Sequence, residues 1–133
     1  MGNSSVTALR CADTTIATLS DSRDKENVSD SIYGLSFINS LRPVQYTWNR
    51  RNLEEGDSTS VLNGKTRVGF LAQDLQNAMP NNENAVIDLV YDVNPERLEV
   101  KYGNLIPIMA KAIQDLSAAN DALVARVTAL ESV

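Results

Sequence analysis

Ser20 and Lys25 are the pair of residues in this 133-residue chain whose types and spacing could do chemistry. The chain has no His and a single Cys, so the usual zinc sites, His-based triads and intrachain disulfides lack the ligands or partners they need. Catalysis would have to use Ser, Thr, Lys, Asp, Glu, Tyr or Cys11. A serine can then be activated by a lysine whose pKa is lowered by burial or by neighbours, because the neutral amine accepts the hydroxyl proton.

The short spacing of Ser20 and Lys25 is weak evidence by itself, because serine and lysine lie this close together in most loops. Asp21, Asp24 and Glu26 would favour a protonated lysine unless they turn away from it. Taken alone, these residues favour an ordinary charged loop over a catalytic pair.

Composition restricts the classes of protein that the chain can represent. An apolar content of 43% in 133 residues fits one domain, or a small domain with an extended appendage, and excludes a large multidomain enzyme. A net charge of -5 argues against nucleic acid as the main partner. No apolar run is long enough to span a membrane, and the N-terminus lacks the apolar h-region typical of a signal peptide, so we expect a soluble chain without a membrane partner. The opening residues 1–5 suggest a natural chain that extends further on the N-terminal side.

The elements that would position Ser20 and Lys25 are short. Apolar and Thr residues over 6–19 predict one or two strands. A charged loop follows, with Ser29 or Asp30 placed to cap a helix over Ile32–Leu41 that ends before Pro43. Further strands are predicted over Val44–Trp48, Arg67–Leu71, Val86–Val93 and Leu98–Lys101, with an Asn94-Pro95 turn between the last two. A long loop or hairpin with an Asn63-Gly64 turn is predicted over 49–66. A helical turn closed by Pro80 is predicted over Gln73–Ala78. The predicted fold class is therefore α+β.

The last thirty residues carry a heptad repeat that predicts a long helix with a narrow apolar seam. Such a seam suits another helix, and the chain has no second long helix, so the same helix of another subunit is the expected partner. Asn120 within the seam would fix register and parallel alignment. The predicted seam consists of Ile106, Ile113, Asn120 and Val127 at the a positions, and of Met109, Leu116, Leu123 and Leu130 at the d positions.

The number of helices in this coiled coil does not follow from the seam alone. Small or apolar flanks at Ala112 and Ala119 (g) and at Ser117 and Val124 (e) favour three strands over two. The alternative is that the helix simply packs against its own domain. We predict a parallel trimeric coiled coil over 104–133.

Residues 20–28, Ser-Asp-Ser-Arg-Asp-Lys-Glu-Asn-Val, resemble the S-D-x-R-x-K-E-N-hydrophobic signature of the C-terminal intramolecular chaperone domain. This family is an auto-processing peptidase domain of phage tailspikes, tail fibres, neck appendages and endosialidases, and a related domain occurs in membrane-bound myelin regulatory transcription factors. Three further motifs follow in the family's order, over Leu41–Trp48, Val68–Leu75 and Val100–Leu105. The resemblance covers about residues 19–133, and four motifs in order are far more specific than one.

The resemblance implies a homotrimeric chaperone that aligns three chains of an upstream fibrous protein and is then cut off. It assigns Ser20 as nucleophile, Lys25 as general base, and Leu19, Ser20 and Asp21 as the cleavage junction. Residues 1–19 would then end the upstream portion, and residues 20–133 would form the chaperone domain. The cut could lie on either side of Ser20. Asp24 departs from the pattern, since many members have an apolar or small residue there.

Two other functions compete with this one. The chain could be a permanent trimeric adhesin tip that binds a receptor or glycan and is never removed. It could also couple release to nucleotide binding, although it contains no Gly-rich phosphate loop followed by Lys and Ser or Thr. We expect no cofactor or metal, no partner beyond the homotrimer and the upstream portion of the same polypeptide, and a location in a virion tail or appendage precursor made in the host cytoplasm.

Several other residues are predicted to have structural roles. Gln73 and Asp74 are expected to cap or pin a helical turn, and Arg42 to pair with a carboxylate. The residues predicted to be buried are Cys11, Tyr46, Trp48 and Phe70.

Overall fold

The computed structural model describes residues 8–51 and 62–133, which fall in two units. The first unit comprises Met1–Ser29 and Gln45–Gly69, and the second comprises Asp30–Val44 and Phe70–Val133. The elements are a mixture of short helices, two small two-stranded sheets and one long C-terminal helix. This confirms the predicted mixture of short strands and helices that ends in a long helix.

The first unit contains a 3₁₀ turn over Ser22–Asp24, strand β2 (Thr66–Gly69) and all but the first residue of strand β1 (Val44–Thr47). The two strands form a sheet. Beyond β1, the Trp48 N–H donates to the carbonyl of Lys65 at 3.0 Å, and the Gly64 N–H donates to the carbonyl of Trp48 at 2.9 Å. Gly64 has φ +83°, which glycine adopts without steric cost, so the predicted Asn63-Gly64 turn is confirmed. The rest of the predicted loop, residues 52–61, lies outside the described residues.

The predicted strands over 6–19 are wrong for the described part of that segment, since residues 8–19 form none. Ile16 and Leu19 are 79% and 98% exposed, and the Thr15 N–H donates instead to the side chain of Asp13. A strand needs a partner for its backbone groups, and β-leaning composition does not supply one. Cys11 is also exposed, so its predicted burial is wrong as well.

The second unit is built around an apolar core between its helices and its small sheet. The helices are α1 (Leu35–Ser40), α2 (Ala72–Asn77), α3 (Asn84–Ile87) and α4 (Ile106–Glu131), and the strands are β3 (Val90–Tyr91) and β4 (Glu99–Val100). The two strands pair antiparallel, with Val90 opposite Val100 and Tyr91 opposite Glu99. The buried side chains of the core are Leu75, Met79, Ile87, Leu89, Val90, Leu105 and Ile108.

Helix α1 begins later than the sequence predicts. The Ser31 hydroxyl accepts the backbone N–H of Tyr33 at 3.1 Å, which forms a local turn before the helix, and Ile32 is 82% exposed. The helix therefore starts at Leu35 without a cap from Ser29 or Asp30. Its first N–H group is satisfied by a side chain from α4, described below.

The strand predicted over Val86–Val93 is shorter than expected, because α3 occupies its start. The Asn84 Oδ1 atom accepts the N–H groups of Leu89 and Val90, each at 2.9 Å, and its Nδ2 atom donates to the carbonyl of Val90. Asp88, with φ 53°, ends the helix in the left-handed region. The Asn84 side chain thus holds the backbone in a turn, and the pairing of β3 with β4 starts only at Val90. The Asn94-Pro95 turn is supported by a bond from the Arg97 N–H to the carbonyl of Asn94.

Helix α4 uses one face against its own unit and leaves another uncovered. Ile108 and Ala112 are buried in the unit, together with Leu105 just before the helix. The apolar residues of the predicted seam, by contrast, are between 43% and 72% exposed, and Asn120 is exposed too. The face of α4 that packs on its own unit is therefore not the face that carries the predicted seam. Ala112 belongs to the packed face, so it cannot widen the seam as predicted. None of the described helices is both long and apolar enough to span a membrane.

Candidate active site

A single turn of backbone brings Ser20 and Lys25 together. Asp21 and Lys25 are extended, and between them Ser22–Asp24 form the 3₁₀ turn. The Asp24 N–H donates to the carbonyl of Asp21, and the Lys25 N–H donates to the carbonyl of Ser22. This reverses the chain, so that the Lys25 Nζ atom donates to the Ser20 Oγ atom at 2.6 Å. The two residues predicted to form the dyad are thus in direct contact.

The acidic residue next to the serine is bound by an arginine within the same turn. Asp21 Oδ1 accepts the backbone N–H of Arg23 at 2.9 Å and its Nε at 3.0 Å, while Oδ2 accepts Nη2 at 2.8 Å. The Arg23 guanidinium, and then its backbone N–H, hold the pKa of Asp21 below its ordinary value. The same pairing raises the pKa of Arg23.

The loop over residues 20–25, which carries Ser20 and Lys25, is exposed. Every described residue from 8 to 30 is exposed, including the Leu19 side chain before the serine. A nucleophile and a base in contact can perform acyl transfer, but a neutral amine at physiological pH also requires desolvation or a favourable charge environment. One isolated chain does not bury these side chains.

We find no arrangement that could hold a metal ion in residues 8–51 and 62–133: no three Cys, Asp or Glu side chains cluster there.

The other sequence motifs meet within the second unit as structural contacts. Arg42 Nη1 lies 3.5 Å from Asp74 Oδ2, which confirms the predicted pairing of Arg42 with a carboxylate. Asp74 makes no capping bond to α2 and instead ties its first turn to Arg42. The backbone N–H of Phe70 donates to the Tyr102 hydroxyl at 3.0 Å, and their rings lie 6.0 Å apart. Gln73 is exposed.

The aromatic residues predicted as core are half-buried. Tyr46 and Trp48 are on the same side of the strand and make an edge contact, with ring centroids 5.4 Å apart, and Phe70 packs at the margin of the core. Sequence reasoning missed the roles of Tyr102 and Arg23. The opposite charges of Asp21 and Arg23, two residues apart, were the available signal for the second of these.

The described elements thus form an α+β chain of two units, with a serine–lysine pair in the first unit and a long helix in the second. Residues 20–82, a little under half of the chain, match the family described as chaperone of endosialidase, whose model is named for a peptidase. Over residues 20–82 this match confirms the resemblance predicted from the motifs, and it begins at Ser20. Searches of curated proteins and of solved structures gave no match.

Proposed function

We propose that this chain is an intramolecular chaperone that trimerises, assists the folding of an upstream fibrous phage tail protein, and then releases itself by cleavage at Ser20. The family match supports a chaperone-type domain of endosialidase-like tail proteins. The observation that carries the proposed cleavage is the 2.6 Å contact between Ser20 Oγ and Lys25 Nζ.

The proposed chemistry is an acyl transfer from nitrogen to oxygen. Neutral Lys25 accepts the hydroxyl proton as Ser20 Oγ attacks the carbonyl carbon of Leu19. The proton passes to the Ser20 nitrogen as the C–N bond breaks, which leaves an ester between Leu19 and Ser20. Water hydrolyses this ester and Ser20 becomes the new N-terminus. Attack by the serine of a neighbouring subunit on the bond between Ser20 and Asp21 is the alternative course.

The proposed trimer is supported by the two faces of α4. Because the face with Ile108 and Ala112 packs within the chain, the seam is free to pack against two further copies at the same time. Seam residues such as Leu116 and Leu123 would otherwise remain more than half exposed. We further propose that assembly supplies the desolvation of the Ser20–Lys25 pair that one chain lacks.

The test is an intact-mass time course of residues 1–133 and of variants. Ser20→Ala and Lys25→Ala should abolish cutting and leave the oligomeric state unchanged. Lys25→Arg keeps the positive charge but cannot act as a base, so it should also abolish cutting. Lys65→Arg, an exposed lysine in the same unit, is the matched control. Normal processing of Lys25→Arg would make Lys25 a structural cation, and an assembled parent chain that is never cut would favour a permanent tip.

A further inference from the structure

The Asp21–Arg23 pair lies between the two members of the proposed dyad. Asp21 is the residue after Ser20, and its carboxylate would be the acidic group closest in sequence to the nucleophile. Arg23 meets both oxygens of that carboxylate with its side chain, at 3.0 and 2.8 Å. We propose that Arg23 is a positioning residue for cleavage: by neutralising Asp21 it allows the neighbouring Lys25 amine to lose its proton. This inference rests on the proposed function.

The charges around Lys25 show why this carboxylate matters. Asp21, Asp24 and Glu26 are all close to it in sequence, and each would favour the protonated amine. Within the described parts of the chain, Asp24 and Glu26 make no ion pair, and no charged group of another element pairs with Lys25. Asp21 is therefore the acidic neighbour whose charge the structure compensates, and Arg23 is the group that compensates it.

The charge of Asp21 can be separated from its structural role. Asp21 also caps the 3₁₀ turn, because its Oδ1 atom accepts the Arg23 backbone N–H. An asparagine oxygen can make the same capping bond without a charge. The substitution Asp21→Asn therefore removes the carboxylate while keeping the turn that brings Ser20 to Lys25.

The experiment compares cleavage by the parent chain, Arg23→Gln, and Arg23→Gln combined with Asp21→Asn across pH. Arg23→Gln should cut about two- to fivefold more slowly at neutral pH, the range expected for exposed charge interactions. Its rate should approach that of the parent at alkaline pH, where the amine is neutral in both. The double variant should cut faster than Arg23→Gln alone, because the uncompensated carboxylate is gone, and added salt should narrow the difference between Arg23→Gln and the parent.

Two results would overturn the inference. If Arg23→Gln slows cutting equally at every pH and the double variant is not rescued, Arg23 acts only by shaping the turn. If Arg23→Gln cuts at the parent rate, the pair is a surface ion pair without influence on the amine.

A second measurement does not depend on cutting. In a Ser20→Ala background, acetic anhydride at pH 7.5 acylates neutral amines, and peptide mass spectrometry gives the acylation of Lys25 relative to Lys65. Arg23→Gln should lower this ratio, and Asp21→Asn should restore it. If the ratio changes in this way but the parent chain, which retains Ser20, is never cut, the proposed function fails and the charge relationship stands. An unchanged ratio refutes the inference whether or not the parent is cut.

Discussion

Asp115 of α4 accepts the backbone N–H of Leu35, the first residue of α1, at 3.1 Å through its Oδ2 atom. Its Oδ1 atom accepts Lys111 Nζ at 2.8 Å, one turn earlier on α4. A side chain from the long helix therefore satisfies an N–H group that no local residue caps. This contact joins α1 to the face of α4 that packs within the chain, and leaves the seam uncovered.

We expect Asp115 to make the stability of the second unit depend on pH. Lys111, and then the N–H of Leu35, hold the pKa of Asp115 below its ordinary value. The stabilisation is therefore fully present above the unfolded-state value of about 3.9 and is lost as the pH falls through the lower folded-state value. Asp115→Asn should lower the Tm at pH 7, and the difference from the parent should shrink as the pH falls through the lowered pKa of Asp115.

The control for Asp115 is Asp121→Asn on the exposed part of the same helix. Melts are compared at one fixed protein concentration, since assembly makes Tm concentration-dependent. If the Tm difference between the parent and Asp115→Asn stayed constant from pH 7 to pH 2, the ionisation of Asp115 would contribute nothing to stability.

Gly34 is predicted to be intolerant of a side chain because of the same contact. A Cβ atom at this buried position would overlap Asp115 Oδ2 and lie 2.7 Å from Lys111 Cγ. Both are side-chain atoms that can move, but moving them breaks the bond to Leu35. Gly34→Ala should therefore lower the Tm measured by circular dichroism. Gly103→Ala is the matched control, since nothing lies within 4 Å of its Cβ position. Equal melting of the two variants would contradict this account.

Local patterns predicted from the sequence agree with the structure where the contacts are also local. Val44–Thr47 alternates and forms a strand, and Asn63-Gly64 forms a turn. Ser20 and Lys25 meet because one 3₁₀ turn separates them. Their spacing alone favours an ordinary loop, and it is the family resemblance that predicts the pair.

Contacts between distant residues could not be predicted in this way. Asp115 and Leu35 are 80 residues apart, and no spacing rule identifies a helix cap supplied from another helix. The local turn at Ser31 and this distant cap together set the start of α1, which the sequence therefore places too early. Similarly, the length of β3 depends on which backbone groups Asn84 binds, and composition does not contain that information.

The seam of α4 leads to a prediction about assembly. The chain of 14.5 kDa should sediment at three times that mass, because its a and d residues have no partner within the described part of the chain. Leu116→Asp combined with Leu123→Asp should give monomers, since carboxylates would face one another across the seam. Gln114→Asp combined with Thr128→Asp, both exposed and outside the seam, should leave the trimer intact. A parent chain that is monomeric at micromolar concentration would contradict the proposed trimer.

Cleavage is predicted to require this assembly. The Ser20–Lys25 pair is exposed in one chain, and a lysine amine in water is protonated at neutral pH. Desolvation by neighbouring chains would favour the neutral amine, and each unit of pKa lowered gives about tenfold more base at neutral pH. The Leu116→Asp, Leu123→Asp variant should therefore be cut at least about tenfold more slowly than the parent in an intact-mass time course.

The Gln114→Asp, Thr128→Asp variant should keep the parent rate. Dilution should slow the parent once its trimers dissociate, while leaving the monomeric variant unaffected. If the monomeric variant cut as fast as the parent, the dyad would be competent in a single chain and cleavage would not report assembly.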